Sequence, residues 1–246
     1  MKSVVVIPAR YKSSRFPGKP LVKLLGKPMV LWVSELSAKA VGKDNVYVAT
    51  DDNRIFEVVN SAGFNAVMTS DKCLTGTDRI AEVASKIKAD IYVNIQGDEP
   101  LVNPKDILNI IKSKELHYDE IINGYCPIST NEDANCVNIP KVVFTENKCL
   151  MYMSRQAVPG FKDKELAPKK YFKQVCIYAF TASELKSYAD YGRKSVVEVS
   201  EDIEIIRFLE WGKKIRMVET TGGSLAVDIP QDVSQVEHEL SKLYNE

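Results

Sequence analysis

Only two of the 246 residues are histidine, His117 and His238. A histidine-ligated metal or a Ser-His-Asp triad therefore has almost nothing to be built from. His117 lies in a polar stretch and His238 in a charged terminal one, so both are expected at the surface. The five cysteines (Cys73, Cys126, Cys136, Cys149, Cys176) are scattered, odd in number and never spaced C-x-x-C. That pattern suits a reduced compartment rather than a disulfide framework or a thiolate zinc site. No window approaches the ~20 apolar residues that span a bilayer, so no membrane insertion is expected. The first residues also lack the cationic, apolar, small-residue order of a signal peptide, and a cytoplasmic location is the expectation. Lys+Arg and Asp+Glu are 33 each. With no basic surplus, nucleic acid is not an expected partner. Neither G-x-G-x-x-G nor G-x-x-x-x-G-K-[ST] follows the first apolar run, so dinucleotide and P-loop readings lose their main warrant. Internal repeats, low-complexity tracts and linkers are missing too, which predicts a single domain with an inserted subregion.

What the chain does have is concentrated first in residues 4–21. Val4-Val5-Val6-Ile7 is a wholly apolar, β-branched run that reads as a strand buried on both faces, as in parallel sheets. It stops at Pro8. The loop that follows carries Arg10, Lys12, Ser13, Ser14, Arg15, Gly18 and Lys19. Cations and free backbone N–H groups at the carboxyl end of a buried strand form a natural seat for a polyanion, and this reading is preferred over a solvated basic loop.

Apolar periodicity then alternates between strand and helix. A helix opens at Pro28 near N1 and runs through Leu36; strands follow at Val46–Ala49, Ala66–Met68 and Ile91–Ile95, with helices around Ile55–Val59 and Ile80–Ile87. This order predicts a doubly wound α/β sheet, in which ligands sit at the carboxyl ends of the strands. The polar clusters after Ile7, Ala49, Met68 and Ile95 should then converge on one crevice. Further on, a helix from Ile107 to Lys114, a strand from Ile121 to Ile128, a hairpin of Lys141–Phe144 with Cys149–Met153, and a strand from Val175 to Phe180 are predicted. Helices are expected over Ser183–Tyr191 and Glu198–Trp211, strands over Ile215–Val218 and Ala226–Asp228, and a closing helix from Pro230.

A loop rich in Arg and Lys suits a nucleoside triphosphate whose pyrophosphate departs, and that chemistry calls for a divalent cation. Mg²⁺ binds through one or two carboxylates together with substrate phosphates. Asp98 and Asp228, each with a Pro two residues on, are the candidates, although either alone also suits a turn or a helix cap.

The motifs Ile7-Pro8-Ala9-Arg10-Tyr11, Arg15-Phe16-Pro17-Gly18-Lys19-Pro20-Leu21, Gly26-Lys27-Pro28-Met29, Val48-Ala49-Thr50-Asp51-Asp52, Gly76-Thr77-Asp78-Arg79 and Asn94-Ile95-Gln96-Gly97-Asp98-Glu99-Pro100 run in order along the chain. Lys141-Val142-Val143, Ser154-Arg155, Ile177-Tyr178 and Val227-Asp228 extend them over nearly its whole length. Together they make the sequence resemble the cytidylyltransferases that form CMP-sugars from 3-deoxy-2-keto acids, above all 3-deoxy-manno-octulosonate (Kdo). The resemblance implies a nucleotide-diphospho-sugar transferase fold, a Rossmann-like three-layer α/β sandwich with a mixed, mostly parallel sheet. It also implies Mg²⁺ as cofactor, CTP and an acidic keto-sugar as partners, a homodimer, and a product destined for a surface glycan such as lipopolysaccharide or capsule. On this reading residues 1–115 are the nucleotide part, about 116–225 the acceptor and dimerisation part, and 226–246 carry the metal aspartate and closing helix.

Carried over by position, Pro8, Ala9, Arg10, Ser13, Arg15, Lys19, Thr75, Gly76, Arg79, Gln96 and Asp98 would bind the nucleotide. Arg10, Lys19 and Asp98 would be catalytic, and Asp98 and Asp228 would hold the metal. Gln96, Ser154, Arg155, Gln174, Tyr178, Glu204 and Ile205 would contact the sugar, Arg155 through its carboxylate. Three departures fall on the acceptor half and its flank. The family's His-(Leu/Val)-Gly-Ile-Tyr reads Gln174-Val175-Cys176-Ile177-Tyr178, its Glu-Gln-Leu-Arg reads Glu204-Ile205-Ile206-Arg207, and its Gly-Val-Asp-Thr-Pro reads Ala226-Val227-Asp228-Ile229-Pro230. Cys176 is expected to be a small buried hydrophobe rather than a nucleophile. Two other classes, a CTP-binding regulatory module and a dinucleotide oxidoreductase, are disfavoured by the retention of Lys19, Asp98 and Asp228 and by the missing glycine fingerprint.

Overall fold

The computed structural model describes residues 1–13, 16–222 and 225–244. β1 (Ser3–Ala9) lies in the middle of a nine-stranded sheet. Its alternate side chains enter two separate cores. Val4 and Val6 join one cluster, Val5 and Ile7 the other, and all four are fully buried. This two-sided burial is why the run carries no polar alternation.

β1 is flanked on one side by β4 (Val46–Thr50) and β5 (Asn65–Met68), all parallel. On its other side lie β6 (Ile91–Ile95), then β10 (Phe172–Phe180), β7 (Ile121–Pro127) and β11 (Ile215–Glu219), in the order β11-β7-β10-β6-β1-β4-β5. Along this path only β10 runs antiparallel to its neighbours, so the sheet is mixed and mostly parallel, as expected. The hairpin of β8 (Lys141–Phe144) and β9 (Leu150–Ser154) attaches through β10. A small separate ribbon pairs β2 (Lys23–Leu24) with β3 (Lys27–Pro28).

Helices cover both faces. α1 (Met29–Val41), α2 (Asn53–Ser61) and α4 (Pro104–Leu116) pack on the face of Val5, Ile7 and Ile95. α3 (Gly76–Lys86), α5 (Ala182–Asp190), and the short α6 (Val196–Glu201) and α7 (Ile206–Glu210) pack on the face of Val6, Tyr92 and Tyr178. α8 (Asp232–Tyr244) closes the chain over a third cluster with Leu24, Met29, Trp32 and Val227.

Three sequence expectations change. Pro28 does not open α1 from inside; it is the N-cap and pairs with Lys23 in the β2–β3 ribbon. The single helix expected over 198–211 is two helices, broken where Asp202 adopts φ +50°, a left-handed conformation that aspartate tolerates better than most residues. Residues 226–228 form no strand. Instead the Val227 N–H donates to the Asp98 carbonyl at 3.0 Å, which fixes this segment against the end of β6.

Candidate active site

The carboxyl ends of β1 and β6 open into a cavity of about 430 Å³. Its wall brings together Pro8 and Ala9 from the end of β1, Arg10, Ser13 and Lys19 from the loop that follows, Gln96, Gly97 and Asp98 from the turn after β6, and Thr75, Gly76 and Arg79 from the start of α3. The two turns touch. A Cβ on Gly97 would sit 2.9 Å from the Pro8 carbonyl oxygen, closer than real Cβ contacts come, so this crossing needs a residue without a side chain. Gly18, at φ +71°, caps the 3₁₀ turn Lys19–Leu21 and turns Lys19 inward.

Lys19 is the hub of the first wall. Its Nζ lies 2.5 Å from Asp98 Oδ2 and 3.6 Å from Asp228 Oδ1. The Val227–Asp98 backbone bond holds the two aspartates on the same side, and the Asp228 N–H donates to Asp232 Oδ2 at 2.8 Å. Among the described residues no group of three His, Cys, Asp or Glu side chains forms a metal cage.

The start of α3 is built as a capping box in which Thr75 and Asp78 satisfy each other's backbone N–H groups. Arg79 is nearly fully buried. It donates to Thr69 Oγ1 at 2.5 Å and to Asp51 Oδ2 at 3.2 Å. The polar cluster after β4 therefore supports the cavity through Arg79 instead of lining it.

The opposite wall comes from the second half. Arg155, Gln174, Cys176, Tyr178 and Glu204 line the cavity, joined by Pro140, Lys194, Asp202 and Ile203. Gln174 Nε2 donates to Asn123 Oδ1 and to the Tyr178 hydroxyl, both at 3.1 Å. Burial pushes the Cys176 thiol up to about 12. Burial and hydrogen bonding to Glu82 take Cys73 to about 12 as well. Neither is a thiolate near neutral pH, so neither is poised as a nucleophile. Burial likewise raises the Glu204 carboxyl, against the Thr77 N–H that donates to it at 3.0 Å.

This wall is braced from behind. Arg207 is fully buried and forks onto Glu198, with Nε to Oε2 at 2.7 Å and Nη2 to Oε1 at 2.8 Å. The same guanidinium reaches Asp78 at 3.5 Å and stacks 3.7 Å from the Tyr188 ring. The Tyr188 hydroxyl in turn meets Thr75 Oγ1 at 3.2 Å and donates to the Glu204 carbonyl at 3.3 Å. One buried network thus ties α5, α6 and α7 to the first turn of α3.

Three sequence-based placements need correction or qualification. Ser154 is buried away from the cavity, its hydroxyl donating to Glu201 at 2.8 Å. Ile205 is fully buried in the core between α6 and α7, where an apolar residue belongs. Arg155 does line the cavity, but its guanidinium donates to three backbone carbonyls, those of Glu201, Asp202 and Val137. Arg15 lies outside the described residues. Lys194 and Asp202 escaped sequence reasoning because they lie in a stretch with no motif; the only local signal was a charge on each side of a short amphipathic segment.

Residues 4–215 match the family model described as cytidylyltransferase. The chain belongs to the cytidylyltransferase family. A 3-deoxy-manno-octulosonate cytidylyltransferase of Geobacter metallireducens is 39% identical, covering 98% of this chain and 99% of that protein. An 8-amino-3,8-dideoxy-manno-octulosonate cytidylyltransferase of Shewanella sp. (strain W3-18-1) is 37% identical over 98% of this chain and 99% of its own length. Among solved structures, a CMP:2-keto-3-deoxy-manno-octonic acid synthetase complexed with CTP superposes with a TM-score of 0.91 at 36% identity. That match covers 99% of this chain and 100% of the other. Like other cytidylyltransferases, the protein is a nucleotidyltransferase. Among its described residues no helix is long and apolar enough to cross a membrane.

Proposed function

We propose that the protein transfers CMP from CTP to a 3-deoxy-2-keto sugar acid, Kdo in the first instance, releasing pyrophosphate. The observation that carries this reading is the joining of Lys19, Asp98 and Asp228 at one wall of a cavity of about 430 Å³ whose other wall carries Gln174, Tyr178 and Glu204. Arg10 and Lys19 would bind the triphosphate and offset charge on the departing pyrophosphate. Pro8, Ala9, Ser13, Thr75, Gly76, Arg79 and Gln96 would shape the nucleotide pocket. The acceptor would lie against Gln96, Gln174, Tyr178 and Glu204, placing its anomeric hydroxyl in line with the α-phosphorus. Such positioning supplies most of the rate in phosphoryl-type transfer.

Two carboxylates facing one ammonium, with no third carboxylate, His or Cys grouped with them among the described residues, fit Mg²⁺, which completes its shell with phosphate oxygens and water. Asp98 and Asp228 would hold the ion, which polarises the α-phosphate when bound. A homodimer is supported by exposed apolar residues on two adjoining elements: Met151 and Tyr152 on the edge strand β9, Val196 and Val199 on α6. Tyr152 donates to Glu201 Oε1 at 3.0 Å and so holds these elements side by side.

Pyrophosphate release with CTP, Mg²⁺ and Kdo tests the reading. Turnover is expected; tight CTP binding with silence toward every 3-deoxy-2-keto acid would remove it. A side chamber of about 310 Å³ shares Gln96, Asp98, Pro140, Gln174, Cys176 and Asp228 with the main cavity and is otherwise lined mostly by apolar and neutral residues, with Glu99, Asp106 and the Glu132–Lys173 ion pair among them. An 8-amino acceptor, named for one of the relatives, belongs in the same assay.

A further inference from the structure

Five cations line the cavity among the described residues, and three are already committed. Lys19 is held by Asp98 and Asp228. Arg79 is buried on Thr69 and Asp51. Arg155 donates from Nε, Nη1 and Nη2 to the carbonyls of Glu201, Val137 and Asp202; these three of its five N–H groups fix the orientation of the fork, which cannot turn without leaving three acceptors behind. Arg10 lies in the loop after β1, on the phosphate side. The remaining cation is Lys194, whose Nζ meets Asp202 Oδ1 at 2.9 Å.

That pair is built in an unusual way. Asp202 takes the left-handed conformation at the break between α6 and α7, and Arg155 fastens the carbonyls on either side of the Asp202 Cα. A non-glycine residue held at positive φ by its surroundings is the kind of local strain found at functional positions. The strained backbone presents the Asp202 carboxylate to Lys194. Lys194, with Arg155 and Arg10 adding to its effect, holds that carboxyl below the usual carboxylate range. A carboxylate is therefore the group this corner of the cavity stabilises. The Asp202 side chain is 71% exposed and that of Lys194 33% exposed, so the contact is easily exchanged for another.

We propose that Lys194 binds the carboxylate of the incoming keto acid, and that Asp202 occupies this place until the acceptor arrives. The inference rests on the transfer reading above and deepens it. Arg155 becomes the residue that positions Asp202 and the 136–137 loop, which Lys141 also holds through the carbonyls of Cys136 and Arg155. A lysine suits the exchange, since its flexible stem lets one ammonium swing between two carboxylates.

The test is steady-state pyrophosphate release with CTP and the keto acid varied separately. Lys194→Met keeps the stem and removes the charge. It should raise the acceptor KM by about tenfold or more, the effect of losing one charge-assisted bond, while the CTP KM stays within about twofold. Lys194→Arg should restore most of the loss. Asp202→Asn, which frees Lys194, should lower the acceptor KM. An acceptor whose carboxylate is converted to the amide should bind the native protein less well than the acid, but should show no such difference with Lys194→Met. An unchanged acceptor KM in Lys194→Met, an equal rise in both KM values, or a higher acceptor KM in Asp202→Asn would each overturn the proposal. Silence of the native protein toward all 3-deoxy-2-keto acids would instead remove the transfer reading, and this inference with it.

Discussion

On one side of the cavity, Pro8 and Ala9 end the strand β1, Gly97 and Asp98 come from the turn directly after its neighbour β6, and the two backbones touch. On the other side, Gln174, Cys176 and Tyr178 alternate along the antiparallel strand β10, and Lys194, Asp202 and Glu204 come from the segments that flank the short helix α6. The first wall is anchored by the sheet, through β1 and β6. In the second, β10 belongs to the sheet, but the part around α6 and α7 is fixed by side chains: Arg207 on Glu198, Tyr188 on Thr75, and Arg155 on three carbonyls. A wall made of strand ends tolerates little change. One assembled from side-chain pairs can be re-cut for a different ligand while the sheet stays as it is. One departure from the family motifs, at Gln174 and Cys176, falls on this second wall, which fits that difference.

The first wall should fail in chemistry. Asp98→Ala removes the carboxylate nearest Lys19 and one of two candidate Mg²⁺ ligands, while Asp98 is part-exposed in a turn whose backbone bond to Val227 remains. Turnover measured as pyrophosphate release should fall at least about a hundredfold. Urea unfolding should stay close to native. Activity like that of the native protein would overturn the metal assignment.

The second wall should fail first in stability. Arg207 and Glu198 are both essentially without solvent contact. Arg207→Met leaves Glu198 buried without its partner, a loss of roughly 3–5 kcal/mol by urea denaturation. Double replacement with Glu198→Gln should recover part of it. The acceptor KM should suffer more than the CTP KM in either variant, because the network holds Glu204 and the α6–α7 break. Equal damage to both would erase the distinction between the walls.

The difference also explains what could be read in advance. β1, the basic loop and the Gln96–Pro100 turn were legible because continuous apolar burial and strand-end polarity are written in consecutive residues. The sheet, the two helical layers and most of the first wall followed from that. Ile205 was misplaced because nothing local reveals that the chain breaks at Asp202 and turns residue 205 into the core. The surroundings of Ser154 and Arg155 are hidden in the sequence for a related reason. Their partners, Glu201 and the carbonyls of Val137, Glu201 and Asp202, come from segments brought together only by the fold. Apolar periodicity reports which face is buried, but not which buried polar group meets which.

Glu204 gives the finest test, because it stands where the walls meet. Its carboxylate closes on the Thr77 N–H and lies 3.6–3.7 Å from where a Cβ of Gly76 would be. Burial raises its pKa above that of the unfolded chain, about 4.3. A carboxyl with a raised native pKa contributes its stability in full below the unfolded value and loses it as pH rises through the native one. The native protein should therefore lose stability, on the order of 1 kcal/mol for each unit of that shift, as pH climbs from about 4.3 through the raised native value. Glu204→Gln keeps an acceptor for Thr77 and cannot ionise, so its urea midpoint should change less between pH 5 and pH 7, taken as roughly the window of interest. If the two proteins lose stability in parallel, the carboxyl is ionised throughout. Thr77 and the start of α3, rather than burial, would then set its charge, and Glu204 would belong with the rigid first wall.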